Sequence, residues 1–321
     1  VNDCRPDWAS LVPAGVASDS REVRAGDLFV AGPGTRSHGA AFVPSALRAG
    51  AVAVLTDPSG LGTLGDVRVP ILVKEGAHRL AAPIAAALWG QPAERLRLVA
   101  VTGTHGVATT ATMVEGLLTS CGVRAVGVAS ERLTAPELHR LLASDPEATD
   151  AVVALPAAAL RRGAGVGLRP DAVAVAALHD PRPQVLASLV AEVRVLLAAA
   201  RPRVILLDSD TSAHLADEFP DAVLVALPTS PHAHRATWRV TGVGADGAAS
   251  TFSLHGPGGL RRTTTVGRPG ALLLADAALA VVTALTAGHV DPDLAAGVPS
   301  DLPHRMEVLR RRPAVVADSA A

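Results

Sequence analysis

Leu98-Val99-Ala100-Val101-Thr102-Gly103-Thr104-His105-Gly106-Val107-Ala108-Thr109-Thr110 is the stretch on which the fold turns. Its apolar start reads as a buried strand, its glycine-bearing middle as a turn, and Met113, Leu117 and Leu118 beyond it as one face of a helix. Strand, glycine turn and helix start form the setting in which backbone N–H groups cradle phosphates. The same pieces also make an ordinary strand-turn-helix of an α/β protein. A working phosphate loop carries a lysine after its last glycine, to meet the terminal phosphates, and then a Ser or Thr whose hydroxyl holds magnesium. Those two places hold Val107 and Ala108. Lys74 is the only lysine in the chain, and the longer planar fork of arginine is a poor stand-in for a compact ammonium. Thr109 offers a hydroxyl one residue later, about 100° further round the helix. Gly103, Thr104, His105, Gly106, Val107, Ala108 and Thr109 thus form a vestigial nucleotide loop, with no catalytic residue and no metal ligand among them.

Outward from this stretch the pattern alternates. Strands are expected at 98–102, 124–129, 150–155, 171–178, 203–208 and 222–227, with helices at 108–121, 136–143, 184–200 and 211–218 between them. That rhythm implies a doubly wound, mostly parallel sheet of the P-loop type. Further strands are expected at Ala236–Gly242 and Ala249–Leu254, a linking strand at Arg261–Val266, and a helix over 271–287. Upstream, apolar runs at Asp27–Ala31, Ala51–Thr56 and Val69–Val73 flank a helical pattern at Phe42, Ala46 and Leu47, which gives a small N-terminal α/β domain. Domain limits of 1–92, 93–300 and 301–321 follow, the last comprising the linker Pro299–Pro303 and short strands at Met306–Leu309 and Ala314–Ala317.

Composition narrows the class. The 321 residues suffice for two domains of ordinary size, and a formal charge of −1 provides no field for nucleic acid or anionic membrane. Seven aromatic residues, none of them tyrosine, leave a core built from Ala, Val and Leu and few platforms for base stacking. Cys4 and Cys121 lie too far apart in sequence for a metal knuckle and read as reduced thiols. The apolar stretch Ala271–Gly288 carries Asp276, Thr283 and Thr286, which suits a buried helix better than a membrane span. A cytoplasmic protein is expected.

Asp19-Ser20-Arg21-Glu22-Val23-Arg24-Ala25-Gly26-Asp27-Leu28-Phe29-Val30-Ala31, then Gly34-Thr35-Arg36-Ser37-His38-Gly39, Phe42-Val43-Pro44 and Ala49–Leu55 form a dense block. With Val101–Thr110, Thr134-Ala135-Pro136, Ala159–Leu168 and Pro303-His304-Arg305-Met306-Glu307, the chain resembles the Mur ligases of the MurE type over nearly its whole length. The resemblance implies a three-domain enzyme that binds a UDP-muramoyl peptide, activates its carboxylate with ATP and magnesium, and couples an amino acid to it. It also implies uridine-diphosphate contacts at Ser18, Ser20, Thr35, Arg36 and Ser37, and muramoyl contacts at Thr134 and Ala135. Carried over position by position, the loop asparagine is His105 and the metal-binding glutamate is Ala154. The Ser-Ser-His after that glutamate is Pro156, Ala157 and Ala158. The downstream Gln and Arg are Arg162 and Ala164, the carbamylated lysine falls near Val193, and the adenine-side asparagine is Asp276. The resemblance implies that the family's third domain begins at Asp318–Ala321.

His232-Ala233-His234 reads as a solvated turn, His179-Asp180 as a pair at a sheet's ligand-bearing end, and Arg310-Arg311-Arg312 as an exposed face. Two functions are carried forward. In one, a catalytically degenerate Mur ligase homologue binds a UDP-muramoyl-peptide-like small molecule or a protein partner of cell-wall synthesis. In the other, an active acid–amino-acid ligase receives its missing parts from a partner or a longer chain.

Overall fold

The computed structural model describes residues 12–34, 37–130, 132–245, 250–266, 271–288, 297–298, 307–311 and 314–317. In chain order the elements begin with β1 (Gly15–Ala17), β2 (Asp27–Ala31), α1 (Val43–Arg48), β3 (Ala53–Thr56), β4 (Ile71–Val73), α2 (Ala81–Leu88) and α3 (Pro92–Arg95). They continue with β5 (Arg97–Gly103), α4 (Val107–Ser120), β6 (Ala125–Val128), α5 (Ala135–Leu142), β7 (Asp150–Pro156), α6 (Ala157–Arg161), β8 (Ala172–Val175) and α7 (Pro183–Ala199). The remainder is β9 (Arg203–Leu206), α8 (Asp210–Glu218), β10 (Val223–Ala226), β11 (Trp238–Ala245), β12 (Ser250–His255), β13 (Arg261–Val266), α9 (Ala271–Thr286), β14 (Gly297–Val298), β15 (Glu307–Arg311) and β16 (Ala314–Ala317). The chain forms two compact units: Val1–Glu94 with Arg132–Ser144 and Arg162–Gly167, and the rest.

The first unit is built on a four-stranded parallel sheet in the order β1-β2-β3-β4. Side chains alternate across it as a pleat requires. Phe29, Ala31 and Val54 join Val43 and Ala46 of α1 on one face, while Leu28, Val30, Ala53 and Leu55 meet Ala81 and Ala85 of α2 on the other. Helix α5 packs on α2 and β1 within this unit. Its start is fixed by Thr134, whose hydroxyl accepts from the Glu137 N–H at 3.4 Å, with Pro136 in the first turn. β1 has only three residues and α2 is apolar almost all round, so neither carries a period that sequence inspection can detect.

The second unit holds a ten-stranded sheet, β14-β13-β12-β11-β10-β9-β8-β5-β7-β6. β6, β7, β5, β8, β9, β10 and β11 run parallel to one another, and β11 then pairs antiparallel with β12, so the doubly wound, parallel-dominated architecture expected from the sequence is present. The expected linking strand at 261–266 is instead β13, a full antiparallel partner of β12. Alternate residues Val99, Val101, Val152, Ala154, Ala174 and Val204 face α4 and α9, forming one buried cluster with Met113, Leu117, Leu118 and Val281. The apolar stretch expected to be a buried helix is α9, whose Ala277–Val282 are fully buried. Among the described residues, no helix is long and apolar enough to cross a membrane. Cys121 is a free, half-buried thiol. Cys4, the linker 299–303 with His304, Arg305 and Met306, Arg312 and Asp318–Ala321 lie outside the described residues, and of Arg310 and Arg311 only the backbone is described.

Candidate functional site

The order of the large sheet locates the first site. β5 lies between β7 and β8, so the connections of the sheet depart to opposite sides of β5, and its carboxyl end opens on the crevice that such folds use for ligands. The segment 103–106 spans that end. Gly103, at φ 144°, passes so close to β8 that a Cβ there would stand 2.9 Å from the Ala177 carbonyl oxygen. The Thr104 N–H and hydroxyl both donate to that oxygen at 2.7 Å, and the hydroxyl accepts the His179 N–H at 3.1 Å. Gly106, left-handed at φ 74°, is the N-cap of α4 and has no side chain with which to cap it. The expected strand, glycine turn and helix start are therefore all present.

Its side chains are of another kind. Val107 is 4% exposed and packs into the core beside Ala111 and Met113, Ala108 is exposed, and Thr109 is buried. A Cβ on Gly106 would fall on the carboxylate of Asp276 from α9, which places an anion against the loop. His105 stacks on His179, with ring centroids 4.5 Å apart and planes 11° from parallel. His179 Nδ1 stands 3.4 Å from Asp208 Oδ2. Among the described residues, no three His, Cys, Asp or Glu side chains are grouped to hold a metal.

A cleft of about 240 Å³ beside the loop is lined by Thr104, His105, Pro156, Ala158, Arg161, Asp180 and Arg182. Both oxygens of Asp180 are taken by Arg182, through Nε and Nη2 at 2.9 Å each, and this clamp holds the carboxyl near pKa 2, at about 2. Ala154 and Val193 are fully buried. Magnesium-bound ATP does not fit this set. The loop has no ammonium, the crevice offers one carboxylate already neutralised by its own arginine, and an aspartate stands at the glycine. His232 and His234 lie on a turn as expected, yet His232 Nε2 meets Asp210 Oδ1 at 2.8 Å, a partner sequence spacing did not suggest.

The other predicted positions belong to the first unit. Its four strands are parallel, so the segments after β1, β2 and β3 gather at one edge. Ser18 is exposed and Ser20 half-buried after β1, Ser37 is exposed after β2, and Thr35 and Arg36 lie outside the described residues. Asp19 fixes the first segment by accepting from Arg21 N at 3.0 Å and Nε at 2.9 Å. His38 fixes the second. Its Nδ1 accepts from Ala40 N at 3.0 Å, which leaves Nε2 to carry the proton toward Asp57, 3.3 Å away. Asp57 also accepts from Ser59 N and Oγ, and its carboxyl lies below the usual range chiefly because of the Ser59 hydroxyl.

Thr134 is 3% exposed and donates to Glu22 Oε2 at 3.0 Å, so its hydroxyl is already engaged, and Ala135 beside it is buried. Sequence reasoning did not single out Glu22, and a contact between residues 112 apart leaves no local signal.

Three comparisons with known proteins bear on these units. Residues 14–87 match the Mur ligase family, catalytic domain. The chain is 33% identical over 314 residues to the UDP-N-acetylmuramoyl-L-alanyl-D-glutamate--2,6-diaminopimelate ligase of Streptomyces coelicolor, covering 91% of this chain and 61% of that one. It is 31% identical to the UDP-N-acetylmuramyl-tripeptide synthetase of Leifsonia xyli subsp. xyli, covering 89% and 60%. Among solved structures, a UDP-N-acetylmuramoyl-L-alanyl-D-glutamate--2,6-diaminopimelate ligase superposes with a TM-score of 0.70 at 21% identity, over 95% of this chain and 66% of that one. The corresponding D-alanyl-D-alanyl ligase of Acinetobacter baumannii also gives 0.70, at 17% identity, over 94% and 67%. At these identities the structural likeness concerns the fold. The chain spans about three-fifths of the two curated relatives named here.

Proposed function

This chain is a homologue of the Mur ligases, and from that premise we propose that it binds a UDP-muramoyl-peptide-like compound without carrying out ATP-dependent ligation. One observation carries the proposal: the glycine loop keeps its backbone but sets buried Val107 where an ammonium would meet phosphate, with the Asp276 carboxylate against Gly106. A single lost charge-assisted contact costs about 1.5–3 kcal/mol of binding, and a single lost preorganised stabiliser costs on the order of a hundredfold in rate. Here the amine, the magnesium-side hydroxyl and the carboxylate expected at Ala154 are replaced together. The uridine-side segments keep hydroxyls at Ser18, Ser20 and Ser37, suited to a uracil edge and a diphosphate. In this proposal the first domain, residues 1–92, is the binding module, 93–300 is a nucleotide-domain frame, and the protein acts in the cytoplasm within peptidoglycan precursor synthesis.

A second reading, in which a partner or further chain completes an active ligase, draws support from the glycine turn that leads β5 into the amino end of α4. Titration calorimetry separates the two. UDP-muramoyl-dipeptide is expected to give a saturable heat and Mg-ATP none. Tight, magnesium-dependent ATP binding by the chain alone would sink the degenerate reading, and silence toward every uridine ligand would sink the binding role.

A further inference from the structure

A cavity of about 320 Å³ opens in the first unit beside Ala14, Val16, Asp27 and Trp89. Asp27 begins β2, whereas the uridine-side segments follow the ends of the strands, so this cavity occupies the other end of the sheet. Three carboxylates line it, Glu22, Asp27 and Glu137, together with Arg24 and Arg140. Glu137 and Arg140 neutralise each other in a two-pronged ion pair. Asp27 has no such partner. It is 6% exposed, and Oδ2 accepts the backbone N–H of Arg24 at 2.7 Å. Oδ1 accepts no hydrogen bond among the described residues and stands where only the missing Cβ of Gly15 leaves room. Among the described residues, the Glu22 carboxylate accepts from the Thr134 hydroxyl alone. Burial is the first cause raising the pKa of both acids, and it outweighs the nearby guanidiniums, Arg24 and Arg140 for Asp27 and Arg21 for Glu22, which pull the other way. The indole of Trp89 forms part of the wall, an aromatic surface suited to a cation and its methylenes. No grouping suited to a metal ion occurs among the described residues.

We propose that this cavity is a binding site for a small organic ammonium compound, whose charged end is received by Asp27 and Glu22 and whose short apolar body lies on Trp89. Asp27 lies at the opposite end of the sheet from Ser18, Ser20 and Ser37, while Glu22 belongs to the connection after β1 and holds Thr134; the assignment stands whether or not the chain binds a UDP-sugar. The volume matches the lower end of small-molecule pockets, roughly 300 Å³.

The probe is 1,5-diaminopentane, followed on the full chain through the indole N–H resonance of Trp89, assigned with Trp89→Phe. A saturable shift with a midpoint at or below roughly 10 mM is expected. Asp27→Asn retains the acceptor for Arg24 N and should weaken the midpoint by roughly tenfold to a hundredfold. Glu22→Gln serves as the second variant and should weaken it in the same direction. 1-Pentanol should leave the resonance unmoved. Absence of a saturable shift, a midpoint in both acid variants unchanged from the parent, or an equal response to magnesium chloride would each overturn the assignment.

Discussion

At the scale of single residues, the loop is decided by position 107. A side chain at the first turn of a helix leans toward its amino end, so a lysine there would extend over the amino end of α4. Val107 instead turns its methyls into the core, and Asp276 adds negative charge beside the glycine. The triple variant Val107→Lys, Ala108→Thr, Asp276→Asn is therefore expected to bind Mg-ATP at least tenfold more tightly than the parent, read by calorimetry. Failure of the folded variant to gain affinity would mean the backbone cradle is not in working form. His139 on α5 makes a second residue-scale case. It is 6% exposed, Nδ1 has no partner, and burial lowers its pKa from the ordinary value. A depressed imidazole contributes stability above its unfolded pKa, about 6.5, that is lost as pH falls toward the folded value, because the unfolded chain takes up the proton first. In urea melts, the stability difference between His139→Leu and the parent should be flat above about pH 7.5 and move in favour of the variant below about pH 6.5. A difference independent of pH across that window would refute the assignment.

Among elements, α4 joins the loop to the rest of the large unit. Met113, Val114, Leu117 and Leu118 are fully buried, which seats the helix on β5, β6 and β7 and against α9. Leu117→Ala should cost about 2–5 kcal/mol in a urea melt, the usual range for an emptied core leucine. A loss below about 1 kcal/mol would mean the site collapses around the smaller side chain. The longer strands and helices of this unit were legible because each shows its period, whereas the five-residue α6 and two-residue β14 were not expected and β8 ends three residues before its expected limit. β5, α4, β7 and α7 begin and end within two residues of the expected limits. What escaped was set by distance along the chain. The stacking of His105 on His179, the clamp of Arg182 on Asp180 and the closure of a cavity by Glu22, Asp27, Trp89, Glu137 and Arg140 depend on tertiary placement, which no local pattern encodes. The absence of a lysine and a hydroxyl at 107 and 108 was legible, since a missing residue type shows in any alignment with a motif. The arrival of Asp276 at Gly106 was not.

For the whole molecule, the division into units does not follow the chain from end to end. The first unit recruits 132–144 and 162–167 from far downstream, and α5 from that return segment packs on α2 and β1. A fragment ending at residue 92 would expose the α5-facing side of α2 and lose the Thr134–Glu22 hydrogen bond. It should show collapsed amide dispersion in NMR spectra, whereas the full chain should show a folded spectrum; a well-dispersed fragment would mean that the sheet and α1 suffice by themselves. One further feature has practical weight. Lys74 follows the edge strand β4, is exposed, and is the sole lysine of 321 residues. Apart from any terminal amine, an acylating dye or photocrosslinker can attach at one address only, giving a uniformly tagged population in which every distance or cross-link is measured from the rim of the small sheet.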